Sequence, residues 1–445
     1  MAEEEARLGP QIEQLVGGKL VSLERQARWR KAWYAVVERQ GDPVPIYVRG
    51  DKQLDAEPYP GLDREAAILR LFRANGLPVP RVYGMSADPV GIVMERVAGT
   101  RDVDSAADDA ERRRVAEQYV EVLARMHALD TAPFVAAGVV RPEGPAAIAL
   151  SYLNANIALY RRTKQGAQPL VEFALRWMQR NVPMHRRRAC VLHGDPGQFL
   201  FDAGQLTCIY DFEAAHIGDP LADLAALRTR HGTEPLGADP AYLIRHYASI
   251  TGQAPDLPAL SFHTAAFMLT AVMALAGPLT DPRPQELQLE YLTWELMTRR
   301  AMLWAMAECL HVTITPPPLV RPPEGRSALV ARVLDATIER IEPKTAAAAV
   351  DKASTAALVD WARGQAAAGA AHEAADLDRV ARILGCRPAD WREADAALER
   401  FVIEAGPEHD RMLFDYFAAQ TEDRVAEALS IQPRLSHYAL PRIRL

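Results

Sequence analysis

The segment at 190–221, CVLHGDPGQFLFDAGQLTCIYDFEAAHIGDPL, constrains the fold of this chain more than any other stretch. Its first apolar residues predict a strand that leads into a His-Gly-Asp loop ending at Asp195. A β-hairpin follows, with strands at 199–201 and 207–210 on either side of a glycine-containing turn. Because the two arms of a hairpin run antiparallel, Asp211 is expected at the same end of this ribbon as the Asp195 loop.

Two acids held side by side on a rigid hairpin suit phosphoryl transfer. One carboxylate can orient the attacking hydroxyl, and the other can hold magnesium on a nucleotide. Gln198 lies between Asp195 and Asp211 in the sequence and adds an amide to the pair.

The composition is that of an ordinary soluble protein, with 49% hydrophobic and 24% charged residues. A length of 445 residues predicts two or three domains. The net charge of −7 argues against general nucleic-acid binding. The four cysteines lack the spacing of a zinc site, so buried free thiols and a reducing, cytoplasmic location are expected. The acidic start, MAEEEARLGP, lacks the apolar region of a secretory signal.

One apolar segment, 261–279, contains no Asp, Glu, Lys or Arg. It is close to the length of about 20 residues that a membrane-spanning helix needs. However, it is rich in Ala and Thr, includes His263 and ends at Gly277-Pro278. A buried helix at the centre of a helical region is therefore predicted, and no membrane association is expected.

The pattern changes along the chain and predicts four parts. Residues 1–97 read as a small β-rich lobe that also contains a helix at 63–74. Residues 98–314 are mainly helical apart from the hairpin. The segment 315–325, TPPPLVRPPEG, predicts a proline-rich linker. Residues 326–445 are rich in alanine and predict an additional all-helical domain.

The run HGDPGQFLFD followed by IYDFEAAHIGDPLADLA is similar to the HGDxxxxN…IDxE…GDPxxDLA pattern of the aminoglycoside phosphotransferase and choline kinase-like family. The preceding ARMHALD also resembles a helix end of that family. The resemblance extends over about residues 12–312. It implies an α+β fold, the bilobal protein-kinase-like fold, with a nucleotide-binding N-lobe at 1–97 and a helical catalytic C-lobe at 98–314. It leaves 326–445 as an appended all-α accessory domain.

The same resemblance implies roles for the acids. Asp195 matches the catalytic Asp that takes the proton of the substrate hydroxyl. Asp211 matches a magnesium ligand beside the β- and γ-phosphates of ATP, with GTP as the alternative nucleotide. Gln198 stands where the family usually has Asn, after a shorter loop, and is a candidate second ligand to Mg²⁺.

Further residues are implied as nucleotide contacts. Arg49 stands at the strand position of the family's phosphate-binding cation, and Glu65 matches the helix acid that pairs with it. The usual glycine-rich turn is replaced by ERQARWRK, whose basic side chains are predicted to cover the triphosphate. The remaining candidates are Arg28 and Arg30 in that loop and Met94, Glu95 and Val97 at the hinge that would meet adenine.

Three readings stay open at this stage. The first is a kinase that phosphorylates a hydroxyl of a small molecule, either an antibiotic or an aromatic or apolar alcohol. The second is a nucleotide-binding pseudokinase without turnover, which the missing glycine-rich turn and the missing Asn favour. The third is a metal-dependent hydrolase built from His193, Asp195, Asp211 and His216. The helices of 326–445 could also support a homo-oligomer.

Overall fold

The structure, a computed structural model, describes residues 2–26, 30–52, 61–280, 288–316, 327–429, 440 and 443. Arg28 and most of the predicted linker at 315–325 lie outside these ranges. Contacts divide the chain into two compact units. The first unit comprises 1–155, 184–260 and 441–445, and the second comprises 156–183 and 261–440. The helices at 156–183 and 261–314 thus group with the C-terminal helices, and the domain limits drawn from the sequence stay predictions.

The elements are as follows in chain order. The strands are β1 (Lys19–Arg25), β2 (Ala32–Arg39), β3 (Asp42–Gly50), β4 (Val82–Ala87), β5 (Val90–Glu95), β6 (Cys190–Leu192), β7 (Phe199–Asp202), β8 (Gln205–Ile209) and β9 (His216–Gly218). The helices up to 260 are α1 (Ala2–Val16), α2 (Leu62–Ala74), α3 (Asp109–His127), α4 (Ala132–Ala136), α5 (Gly144–Ala149), α6 (Ser151–Thr163), α7 (Pro169–Arg180), α8 (Leu221–His231), α9 (Pro240–Thr251) and the start of α10 (Leu257–Thr280). The later helices are α11 (Gln288–Leu310), α12 (Ser327–Glu339), α13 (Ala346–Gly364), α14 (Ala370–Leu384), α15 (Trp391–Glu404) and α16 (Asp410–Glu427).

The first unit is built on a five-stranded antiparallel sheet of order β1-β2-β3-β5-β4. Alternation along β2 sends Trp33, Ala35 and Val37 to one face, where they are buried. Helix α1 covers this face with Leu8 and Ile12. Strand β3 is the central strand of the sheet and places Arg49 directly opposite Ile92 of β5, so the arginine starts from a rigid position.

The predicted hairpin is confirmed. Strands β7 and β8 pair antiparallel, with Phe199 opposite Ile209 and Asp202 opposite Gln205. A second ribbon, β6 with β9, was not predicted because β9 is only three residues long. The β6–β9 ribbon pairs the two ends of the segment 190–221, and the β7–β8 hairpin lies between them in sequence.

Helix α2 packs against the loop that follows β8. Its apolar face is buried, and Phe72 packs against Phe134 and Phe212, with ring centroids 5.2 and 4.8 Å apart. Phe212 is fully buried and lies between Asp211 and Glu213. This packing fixes the loop after β8 against the helix that carries Glu65.

The second unit is helical. Helix α10 contains a 21-residue segment, Leu257–Gly277, that could span a membrane by length and composition, and 78% of that segment's most apolar window is buried within the protein. Such burial agrees with the core helix predicted from the sequence. Charged groups also join helices within this unit, since Arg300 of α11 donates to Glu422 of α16 at 2.9 and 3.0 Å.

Candidate active site

The two predicted acids lie on either side of one amide. The Nε2 atom of Gln198 is 3.0 Å from Oδ2 of Asp195 and 3.2 Å from Oδ2 of Asp211. The hairpin therefore brings both acids together, as expected from its geometry. It also places three oxygen-bearing side chains at one point.

The backbone around Asp211 is held in an unusual conformation. Asp211 has φ of 70°, in the left-handed region that non-glycine residues seldom adopt. Buried Phe212 anchors the next position, and the Nε2 atom of His193 contacts the carbonyl oxygen of Tyr210 at 3.0 Å. Strained backbone of this kind is kept where the surrounding packing enforces it, often at functional sites.

The Asp195 loop is fixed by a buried acid on α8. The carboxylate of Asp223 accepts hydrogen bonds from the backbone N–H groups of His193 and Gly194, at 2.8 and 3.0 Å. It also contacts Nε2 of His127 at 3.0 Å. Burial opposes ionisation, but the contacts to His127 and to the backbone lower the pKa of Asp223. Asp223 therefore has a structural role, since it holds the backbone of the Asp195 loop.

Arg49 connects the sheet to the Asp211 loop. Its Nε donates to Glu65 at 3.0 Å, and its Nη2 contacts Glu213 at 3.0 Å and also Asp211. Burial alone would lower the pKa of Arg49, but these three carboxylates raise it. Burial also opposes ionisation of Asp211, but Arg49 and Arg30 lower the pKa of this carboxyl. For Glu65 the effect of burial is larger, and its pKa is raised.

Glu213 was assigned no role from the sequence, although it follows Asp211 by two residues. It accepts from Lys52 at 2.8 Å and also pairs with Arg30, which is buried. Arg30, Arg49 and Lys52 thus converge on one side of the site. Lys31, by contrast, pairs with Glu4 of α1 at 2.6 Å. The sequence offers only charge as a signal, because Glu213 is 161 to 183 residues away from the three cations that converge on it.

Arg230 is the second residue that the sequence did not reveal. From the last turn of α8, its guanidinium contacts Asp195 and donates to Glu234 at 2.9 Å and to the carbonyl oxygen of Pro196 at 2.7 Å. Burial would lower the pKa of Arg230, but Asp195 and Glu234 raise it. Asp195 is therefore oriented by a cation on one side and by the Gln198 amide on the other.

These side chains border a cavity of about 830 Å³ in the first unit. Arg49, Gln198, Asp211 and Arg230 line it. The predicted hinge residues also line this cavity: Met94, Glu95 and Val97. The cavity therefore joins the predicted adenine end of the site to the predicted phosphate end. Its volume is in the range of about 300–1,000 Å³ that small-molecule ligands occupy.

The hinge offers a specific backbone group. The N–H of Glu95 bonds to the carbonyl of Arg81 at 2.8 Å, and that of Arg96 to the carbonyl of Pro45 at 3.0 Å. The N–H of Val97 makes no hydrogen bond to any other described residue. It is therefore available to a ligand in the cavity.

The oxygen donors of the site decide which metal ion it could hold. Across the described residues, no three His, Cys, Asp or Glu side chains form a metal-binding group. The hydrolase reading needs His216 as a ligand, but Nδ1 of His216 lies 2.9 Å from the carbonyl oxygen of Ala214. Magnesium, however, commonly takes one or two carboxylates and completes its shell with substrate phosphates and water. Asp211 and the amide of Gln198 fit that more limited requirement.

A pH dependence of stability follows from His193. Burial lowers the pKa of its imidazole below the ordinary value of 6.5. Below about pH 6.5 the unfolded chain therefore binds a proton that the folded chain does not, and stability falls as the pH falls. We expect His193→Gln to reduce the slope of the unfolding free energy between pH 6.5 and 5 by up to about 1.4 kcal/mol per pH unit.

Urea unfolding at several pH values measures this slope. Burial also lowers the pKa of His231, so part of the slope should persist in the variant. A slope identical to that of the wild-type protein would show that His193 is not the buried neutral imidazole described above.

Known proteins resemble this chain over the part that contains the candidate site. A family model described as "Phosphotransferase enzyme family" matches residues 36–263. Acyl-CoA dehydrogenase family member 11 of Rattus norvegicus is 27% identical over 243 residues, which cover 48% of this chain and 30% of that protein. The chain thus spans under a third of the length of this curated relative.

One solved structure shows the same type of fold. A candidate aminoglycoside phosphotransferase from Ralstonia eutropha superposes with a TM-score of 0.54 at 17% identity, covering 69% of this chain and 98% of that one. The macrolide 2′-phosphotransferase MphH from Brachybacterium faecium gives a TM-score of 0.45 at 18% identity, covering 63% and 100%.

Proposed function

The chain belongs to the phosphotransferase enzyme family, and from this premise we propose that it transfers the γ-phosphoryl group of ATP to a hydroxyl of a small molecule. Membership confirms the family predicted from the HGD and GDP segments, and the α+β, protein-kinase-like fold is confirmed as well. The chain is therefore a phosphotransferase. The finer proposal rests on the cavity bordered by the hinge, Arg49 and Asp211, whose wall also includes Arg230, the partner of Asp195.

We assign Asp195 as the base that accepts the proton of the attacking hydroxyl. Arg230 and the amide of Gln198 hold its carboxylate from two sides. Positioning of this kind matters because phosphoryl transfer depends mainly on alignment and on charge stabilisation. Arg230 lines the cavity and pairs with Asp195, so its guanidinium would lie close to the hydroxyl that Asp195 binds.

ATP is proposed to lie along the cavity, with its adenine at the hinge. The N–H of Val97 would donate to the base, and Met94 and Glu95 would line the adenine site. Arg49, braced by Glu65, would bind the phosphates. Arg30 lies on the same side through Glu213, and Arg28 precedes it by two residues in the sequence. GTP would use the same phosphate contacts, so competition between the two nucleotides measures the preference.

Asp211 and Gln198 are proposed to hold Mg²⁺. When bound, the ion would neutralise charge on the β- and γ-phosphates. The chain's own part is to present the carboxylate, which its strained backbone and buried Phe212 fix in place. In the structure Arg49 pairs with Asp211. The lowered pKa of Asp211 keeps its carboxylate, the proposed metal ligand, ionised at neutral pH.

We expect chelation of Mg²⁺ to abolish ADP formation, and Asp211→Asn to lower kcat at least about 100-fold. The reason is that a metal on transferring phosphates contributes several kcal/mol to transition-state stabilisation. Steady-state ADP release with and without EDTA measures the effect.

Asp202→Asn is the matched control, because Asp202 is exposed on the same hairpin and should leave the rate unchanged. Full activity of Asp211→Asn, or turnover in EDTA, would argue against the assigned metal site.

The nature of the acceptor is open between an aminoglycoside-like cation and an apolar or aromatic alcohol. Two aromatic residues of the helical region serve the fold instead. The hydroxyl of Tyr160 donates to Glu172 at 3.2 Å, and Nε1 of Trp304 donates to Glu422 at 3.1 Å. The aromatic character of that region therefore gives little support to an aromatic acceptor.

A further inference from the structure

A second cavity, of about 580 Å³, lies within the helical unit. Its lining residues fall between Leu292 and Glu427 and come from α11, α13, α14, α15 and α16. None of them belongs to the phosphotransferase site described above. The volume suits a small organic molecule.

The walls carry large aromatic side chains. Trp361 is 9% exposed and Tyr416 is 5% exposed, so both rings face the cavity from buried positions. Trp391 also lines it and is 49% exposed, which is high for a tryptophan. Aromatic faces bind apolar groups and attract cations.

Most of the acidic residues that line the cavity are paired with neighbouring side chains. Arg379 pairs with Asp376 at 2.8 Å and with Asp423 at 2.7 Å. His372 contacts Glu427 at 2.8 Å, and Arg299 is 3.4 Å from Glu295. These four carboxylates are part of the framework and are not available to a ligand.

Two carboxylates are left over. Among the described residues, neither Asp395 nor Glu373 has a hydrogen bond or an ion pair, and both line the cavity. Arg424 also lines it, outside ion-pair distance of Asp395. Burial raises the pKa of Asp395, although Arg424 acts in the opposite direction. Two unpaired carboxylates against one guanidinium leave the cavity net negative.

The shape of one corner is fixed by close packing. A Cβ on Gly364 would lie 1.8 Å from the carbonyl oxygen of Glu427, so only glycine lets α13 approach α16 this closely. The chain then continues as a π-helical turn, Gln365–Gly369, which lines the cavity at Gln365 and Gly369. π-Helical turns are rare and occur frequently at functional sites.

We propose that this cavity binds a small organic ammonium ion. The ammonium group pairs with Asp395, with Glu373 at the rim, and the apolar part of the ligand packs against Trp361, Tyr416 and Trp391. Charge selects a cation over an anion, and the aromatic walls select an organic cation over a metal ion. This site is separate from the proposed phosphotransfer and does not depend on it.

The test is a titration of the full chain with phenethylammonium and with 3-phenylpropionate, which has a similar shape and the opposite charge. Isothermal calorimetry or tryptophan fluorescence reports binding. We expect saturable binding of phenethylammonium and affinity at least about tenfold lower for 3-phenylpropionate. Asp395→Asn should weaken binding of the amine at least about tenfold. Trp391→Ala, at an exposed position, should also weaken it.

Glu404→Gln is the matched control, since Glu404 is an exposed acid on the same helix as Asp395. This variant should bind phenethylammonium as the wild-type protein does. Circular dichroism establishes that each variant is folded. Absence of saturable phenethylammonium binding, equal binding of the anion, or unchanged binding by Asp395→Asn would each overturn the proposal.

Discussion

Replacement of Asp195 by Asn should lower kcat by about 10²–10⁴-fold, the usual contribution of a positioned general base. An amide cannot take the proton of the attacking hydroxyl. Asn can still accept a hydrogen bond from Arg230, so the loop should keep its conformation. The affinity for ATP should change little, because Asp195 is assigned to the acceptor side of the site.

Initial rates of ADP release, together with calorimetric ATP affinity, separate these effects. Asp202→Asn controls for the loss of one negative charge on the hairpin. If Asp195→Asn retained the wild-type kcat, Asp195 would not be the base, and its pairing with Arg230 would be only structural.

Replacement of Asp223 by Ala should lower the free energy of unfolding by about 2–6 kcal/mol. The carboxylate is buried and accepts from two backbone N–H groups and from His127. Each buried donor left without an acceptor costs about 1–3 kcal/mol, and two backbone donors lose theirs. Because these donors belong to His193 and Gly194, the Asp195 loop should also loosen.

Chemical denaturation of the variant measures the loss. Asp223→Asn is an informative companion, since its amide keeps the shape and one oxygen but presents an NH₂ group where a second acceptor is needed. It should fall between the wild-type protein and Asp223→Ala. A change below about 0.5 kcal/mol in Asp223→Ala, as surface positions show, would contradict the buried network.

Local patterns were sufficient for the parts of the fold that depend on short-range sequence. Turn chemistry located the β7–β8 hairpin, and helical periodicity located α2, predicted at 63–74 and observed at Leu62–Ala74. The helix α1 was missed: Pro10 lies inside it, and its core contacts come from the sheet. The short strand β9 exists because β6 pairs with it, which is a tertiary effect.

The candidate site shows the same division. The HGD and DFE loops are contiguous in sequence and could be identified directly. Glu213 and Arg230 could not, because their function depends on partners brought close only by folding. The sequence around Arg230 does not distinguish it from an arginine that is exposed to solvent. Its contact with Asp195 is visible only in three dimensions.

The most direct test of the central claim is to identify a phosphorylated product. The full chain is incubated with a metabolite mixture, Mg²⁺ and ATP carrying an isotopic label in the γ-phosphoryl group, and products are separated by mass. We predict a hydroxyl compound that gains one labelled phosphoryl group with the wild-type chain and not with Asp195→Asn. Binding of Mg-ATP without any labelled ester would contradict the account and favour a nucleotide-binding protein without turnover.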